Sequence, residues 1–193
     1  MDSFMLERIK EIDIELLIYL NNLGSENWDG FWLFMTDAIT SIPVYLFVLY
    51  LVYRSFGLKK LVFTLLVLIL VITISDQLAN IFKYGFERLR PCHNENIKNL
   101  IRLVKPSCGG RFSFFSAHAS TAFSLAVFFS LILRKHLKYF SCFLILWAIL
   151  VGYSRIYIGV HFPADVLFGF MVGIINGTLM YKVWKYFSTK YLS

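Results

Sequence analysis

The sequence predicts an all-α fold: an integral membrane helical bundle of about five transmembrane helices, preceded by an amphipathic helix lying at the membrane interface. Three observations carry this. Of the 193 residues, 58% are hydrophobic and 16% charged, against about 25% charged in an ordinary soluble domain. Five stretches come close to the roughly 20 apolar residues that a crossing of the hydrocarbon core needs. Short segments rich in Lys and Arg separate some of them, the pattern that holds a segment on the cytoplasmic side. The chain reads as one domain over 1–193, with an interfacial helix and linker at 1–30 and the bundle at 31–187.

At the N-terminus, Met5, Ile9, Ile12, Leu16, Leu20 and Leu23 recur at spacings of three or four, while Glu7, Lys10, Glu11 and Glu15 fall largely on the other side. This is an amphipathic helix, too charged to span and suited to the interface. It lacks the basic start, unbroken apolar core and small-residue cleavage site of a signal peptide. Trp28, Phe31 and Trp32 follow as an aromatic belt.

The expected spans are 31–53, with 39–53 its clean part, then 61–82, 117–133, 140–157 and 163–184. Arg54, Lys59 and Lys60 form one basic connection, Arg134, Lys135 and Lys138 a second, and Lys182, Lys185 and Lys190 a basic tail. With five spans these fall on one side, and the N-terminal helix and the long connection 84–115 fall on the outer side. The net charge of +7 suits nucleic acid, lipid headgroups or a phosphate; in a membrane chain the last two come first, and no nucleic-acid partner is expected.

Polar residues cluster where spans meet the outer face: Lys83, Arg88 and Arg90 after the second, Ser116 and His118 at the third, Arg155 at the end of the fourth, His161 and Asp165 at the fifth. In an alternating bundle these ends share one surface. Lys83 and Arg90, seven apart, share a helix face if the helix continues two turns, with Pro91 ending it at Arg90. Ser116 is a good N-cap, leaving the N–H groups of Ala117 and His118 as an anion site. Pro163 suits the first position of the fifth helix, Asp165 its first turn, and His161 lies four residues before Asp165, within reach in a helical turn.

Two histidines, several cations and a nest of N–H groups suit a phosphoryl group. Arginine forks and lysine charges stabilise its oxygens. A neutral histidine can attack phosphorus, a carboxylate can orient it, and a second histidine can protonate the leaving oxygen. No metal or cofactor is needed.

The stretches "KYGFERLRP", "FFSAHAS" and "SRIYIGVHFPAD" resemble the three signature motifs of the type 2 phosphatidic acid phosphatase superfamily. The first and third match in residue type and spacing. The second usually reads Pro-Ser-Gly-His and here reads Phe115-Ser116-Ala117-His118. The resemblance implies that His161 is the nucleophile, Asp165 its orienter and His118 the general acid. It implies that Lys83, Arg90, Ser116, Arg155 and the N–H groups of Ala117 and His118 bind phosphate. It further implies a metal-independent phosphatase for a lipid phosphate or diphosphate in a bacterial inner membrane, its site facing outward. Undecaprenyl diphosphate is the leading substrate on that reading, followed by phosphatidylglycerol phosphate, phosphatidate and lipid A phosphates. A lipid phosphoryl or phosphoethanolamine transferase and a non-catalytic lipid-binding protein are the alternatives.

Other polar residues are expected to be structural. Arg88 reads as a solvated or lipid-phosphate contact, Asp76 and Gln77 as helix–helix hydrogen-bonding groups, and Asp37 as interfacial. Cys92 and Cys108, sixteen apart in the outer connection, are expected to pair if that connection faces an oxidising compartment.

Overall fold

The computed structural model describes residues 3–137 and 139–192; Lys138 of the expected basic connection lies outside the described residues. Six α-helices account for the fold among them: α1 (Ser3–Asn22), α2 (Glu26–Thr36), α3 (Ile42–Phe86), α4 (Ala117–Leu133), α5 (Phe140–Tyr157) and α6 (Pro163–Tyr191). Short 3-10 turns occupy Ile39–Ser41 and Pro91–His93. The stretch Ile39–Phe86, α5 and α6 are long and apolar enough to cross a membrane, and α4 is a shorter apolar helix. The all-α membrane bundle expected from composition is what forms.

Helix α3 has 45 residues, about 68 Å at 1.5 Å per residue, more than twice a hydrocarbon core of roughly 30 Å. Gly57 breaks it, with φ 80 and ψ 179, a backbone region that glycine enters without steric cost. Tyr45 and Ile72, on opposite sides of Gly57, line one cleft, so the two arms fold back on each other.

Three expected boundaries shift. Residues 31–36 belong to α2, which ends at an extended Asp37; the long helix starts only at Ile42, with Pro43 in its first turn. The expected connection 54–60 is helical apart from Gly57. At its other end α3 stops at Phe86, where Glu87 is left-handed with φ 48, so Lys83 and Arg90 do not share a helix face.

Helices α4 and α6 cross closely because α6 presents Gly169, Gly173 and Gly177. A Cβ on Gly173 would lie 2.6 Å from the Phe123 Cβ and 2.7 Å from the Ser120 carbonyl oxygen. Small residues of this kind let helices approach where lipid offers no hydrophobic drive to association. Asn176 of α6 adds interhelical bonds to the Val71 carbonyl at 3.0 Å and the Ser75 hydroxyl at 2.9 Å, and Trp184 Nε1 donates to Thr64 Oγ1 at 2.9 Å. These are the helix–helix hydrogen bonds that Asp76 was expected to make; Asp76 instead accepts from Asn80 of its own helix at 3.2 Å.

The apolar face expected of the N-terminal helix is exposed: Met5, Ile9, Ile12 and Leu16 of α1, and Leu23 just past its end, are all open. The helix docks on the bundle through a narrower seam, Asp13, Leu17 and Asn21, all buried. Asn21 Nδ2 donates to the Tyr157 carbonyl at the end of α5 (2.7 Å) and its Oδ1 accepts from Arg102 N (2.7 Å). That satisfies one of the carbonyls a helix terminus leaves orphaned.

Replacing Gly173 by Leu should force α4 and α6 apart at a cost of about 1–3 kcal/mol or more. The detergent-solubilised variant is expected to melt well below the wild type; an unchanged Tm would contradict this packing.

Candidate active site

The loop between α5 and α6 turns on Gly159, whose φ is 79 and whose Cβ would strike the Arg102 carbonyl oxygen at 2.6 Å. Only glycine fits there. The turn brings the amides of Val160 and His161 back onto the Arg155 carbonyl at 3.2 and 3.3 Å, which places His161 against the start of α6. Pro163 begins that helix, and Asp165 Oδ2 accepts from the Phe162 amide at 3.0 Å, capping it. The same oxygen lies 3.5 Å from His161 Nδ1. That is long for a hydrogen bond, and His161 Nδ1 has no well-directed partner; such contacts tighten when substrate is bound. Asp165 is fully buried and His161 is 2% exposed.

Ser116 donates its backbone amide to the Asp165 carbonyl at 3.1 Å, which pins the start of α4 to the start of α6. Its hydroxyl accepts from Ala119 N at 3.4 Å, the expected N-cap. The N–H groups of Ala117 and His118 are left at the helix terminus, where anions bind. His118 is exposed on a cleft of about 270 Å³ that Thr36, Tyr45, Ile72, Leu125 and Val151 also line. Phe115, in the place of the usual proline, is fully buried and packs on Phe82 and Phe168 with ring centroids 5.4 and 5.5 Å away.

The cations come from three segments. Arg155 is 5% exposed; its Nη1 donates to Thr36 Oγ1 at 2.5 Å, and its Nε is buried with no partner. Arg90 donates Nη1 to the Cys108 carbonyl at 2.7 Å and Nε to the Phe112 carbonyl at 3.3 Å. A disulfide joins Cys92 to Cys108, their Cα atoms 6.1 Å apart, so the cross-link expected from sequence holds the carbonyl that aims Arg90. Lys83 shares a polar recess with Arg90 and Arg111. Lys83, Lys105, Arg155 and His161 all act electrostatically on His118. The structure therefore brings together every residue the sequence singled out: His161, His118, Asp165, Lys83, Arg90, Ser116, Ala117 and Arg155.

Burial pulls His161 down to about 4, with Arg155 and Arg90 acting in the same direction and Asp165 opposing them. It is neutral near pH 7, the form that can attack an electrophile. Burial and then Arg155 also lower Lys105 below the usual lysine range. Lys105 was not anticipated, since one lysine in a basic connection carries no motif. Nor were two further residues. Arg88 is not a free surface cation; it pairs with Asp165 Oδ1 at 3.0 Å and Asp13 Oδ2 at 2.6 Å. Asp13 carried a signal: with Leu17 and Asn21 it forms an i, i+4, i+8 seam distinct from the apolar face.

The family model described as the PAP2 superfamily matches residues 62–188. The lipid A 4'-phosphatase of Bacteroides thetaiotaomicron is 36% identical over 181 residues, covering 93% of this chain and 80% of that protein. The lipid A 4'-phosphatase of Porphyromonas gingivalis is 33% identical over 190 residues, covering 97% of this chain and 79% of that protein. Among solved structures, the crystal structure of Aquifex aeolicus LpxE superposes with a TM-score of 0.67 at 29% identity, covering 87% of this chain and 93% of that one.

Two outcomes follow from the site's physics. A histidine held neutral in the fold but titrating near 6.5 when unfolded binds fewer protons folded than unfolded between pH 6.5 and about 4. Its contribution is full above pH 6.5 and is lost as pH falls through that window. The Tm should drop from pH 6.5 to 4, and drop less in His161→Gln; equal drops would contradict this assignment. Replacing Cys92 and Cys108 by Ser should remove about 3 kcal/mol of loop-closure stabilisation and lower the Tm; no change in Tm would contradict it.

Proposed function

The chain belongs to the PAP2 superfamily and is a membrane lipid phosphatase, and on that premise we propose that it removes the 4'-phosphate of a lipid A-type glycolipid by a two-step histidine mechanism. The observation that carries the substrate class is that two curated relatives aligned along nearly the whole chain are lipid A 4'-phosphatases. Undecaprenyl diphosphate, the leading substrate on sequence grounds, becomes the second reading, with phosphatidylglycerol phosphate and phosphatidate behind it.

In the first step neutral His161 attacks phosphorus through its outer nitrogen, Nε2. A P–N bond forms, the P–O bond to the sugar breaks, and His118, protonated once the anionic phosphate of the substrate lies beside it, donates that proton to the departing oxygen. The Nδ1–H of the resulting cation faces Asp165, which stabilises it as in the serine-protease triad. Lys83, Arg90 and Arg155, with the N–H groups of Ala117 and His118, hold the phosphoryl oxygens as charge redistributes over them. Ser116 shapes that nest. In the second step His118, now neutral, takes a proton from water, whose oxygen attacks the phosphohistidine and releases inorganic phosphate and free His161. No metal takes part.

The cleft beside His118 combines a histidine rim with Tyr45, Ile72, Leu125 and Val151, which suits a headgroup phosphate at the rim and a lipid chain below. The disulfide and the basic connections on the opposite face support an inner-membrane location with the site outward.

The test is phosphate release by purified protein in EDTA from four lipids: lipid A carrying a 4'-phosphate, undecaprenyl diphosphate, phosphatidylglycerol phosphate and phosphatidate. Lipid A should give the highest kcat/KM. His161→Ala should abolish release, and His118→Ala should lower kcat by about 10²–10⁴. Full activity in His161→Ala would overturn the mechanism, and a tenfold preference for undecaprenyl diphosphate would overturn the substrate.

A further inference from the structure

Arg88 lies outside the motif positions Lys83, Arg90 and Pro91, yet it is the residue best tied to the catalytic pair. Its guanidinium carbon lies 3.8 Å from the centroid of the Phe162 ring, the side chain next to His161. One arm of its fork, Nη1, donates to Asp165 Oδ1 at 3.0 Å; the other, Nη2, donates to Asp13 Oδ2 at 2.6 Å. The second oxygen of Asp13 accepts from the Ala164 amide at 2.8 Å. The backbone carbonyl of Arg88 is fixed in turn by the Ser113 amide at 2.8 Å.

We propose that Arg88 and Asp13 are positioning residues for the His161–Asp165 pair, so that α1, lying on the membrane face of the bundle, sets the competence of the active site. The inference rests on the reading of His161 as nucleophile and Asp165 as its partner.

The physical argument runs through Asp165. A fully buried carboxylate is costly without a hydrogen-bonded counter-charge, and Arg88 is the cation paired with it. By engaging Oδ1, Arg88 leaves Oδ2 to the Phe162 amide and His161 Nδ1. It therefore decides which oxygen faces the imidazole. Both arms of Arg88 are committed to carboxylates, so it acts through Asp165 rather than on phosphate. Asp13 holds the far arm and the first turn of α6 at once. It is 7% exposed, although α1 otherwise turns its apolar side outward.

The experiment compares kcat, KM and the pH profile of kcat/KM for wild type, Arg88→Gln, Arg88→Lys, Asp13→Asn and His161→Ala, with the preferred lipid phosphate in detergent micelles. His161 is acted on by Asp165 of α6, Arg155 of α5 and Arg90 of the outer connection, and it acts in turn on His118 of α4; Arg88 and, through it, Asp13 of α1 reach it by way of Asp165. Arg88→Gln, Arg88→Lys and Asp13→Asn each change one of these groups alone. Arg88→Gln removes a cation beside the pair and favours protonated over neutral His161. Its acidic limb should move up by about one pH unit, and kcat should fall tenfold or more with KM within twofold. Arg88→Lys, which keeps the charge but loses the fork, should keep the wild-type limb and recover only part of kcat. Asp13→Asn removes an anion; its limb should move the other way, by less, with kcat down several-fold.

A destabilised variant that unfolds in acid would also raise its apparent limb, so the folded fraction is followed by circular dichroism at each pH and the limb is read only where that fraction is constant; a shift that vanishes under this condition would overturn the positioning role. If Arg88→Gln yields no folded protein, Asp13→Asn and Arg88→Lys decide the matter. Wild-type limbs and rates in the Arg88 and Asp13 variants, with His161→Ala inactive, would overturn the positioning role alone. Activity in His161→Ala would overturn the reading beneath it.

Discussion

The carboxylate of Asp165 is the point on which the site depends. It is fully buried, and a buried anion persists only where its oxygens are occupied and its charge answered. Every nearby element contributes. The Phe162 amide is capped by it, Arg88 pairs with it, His161 lies against it, and the Ser116 amide binds the carbonyl of the same residue. The starts of α4 and α6, the end of α5 and the outer connection are thereby held in one arrangement. The N-terminal helix joins through Asp13, which bonds Arg88 and the first turn of α6 together.

Around this anion the bundle gathers more positive charge than it neutralises. Arg155 keeps a buried nitrogen without a partner, Arg90 is aimed by carbonyls rather than carboxylates, and Lys83 and Lys105 stand close enough to act on His118. Such a surplus in a partly dry site is unfavourable without an anion and complementary to one with several charged oxygens. The close crossing of α4 and α6, permitted by Gly169, Gly173 and Gly177, and the Asn176 bonds to α3 keep the arrangement rigid from below. Packing in the membrane and charge at its surface thus serve the same site.

Much of this was legible in the chain. Apolar length and basic connections announced the membrane bundle, and span parity alone put the polar residues on one surface. The site residues stood out because Lys, Arg, His and Asp at helix ends near lipid are costly to keep there. The break in α3 was less legible: a lone glycine between two helical arms has the same local pattern as a short loop. Arg88 was misread because an arginine between two motif residues carries no periodicity; its partners lie 75 and 77 residues away in sequence. Asp13 was hidden for a similar reason. Its spacing to Leu17 and Asn21 marks a helix seam but does not say what the seam docks on.

The central claim is that His161 becomes covalently phosphorylated. The most direct measurement is rapid quench of the enzyme during turnover of a lipid labelled in its phosphate, followed by mapping of the labelled peptide. The account predicts label on the peptide containing His161, stable in alkali and lost in acid, absent from His161→Ala and accumulating in variants slow in the water step. Turnover with no trapped label, or label that persists when His161 is replaced, would contradict it.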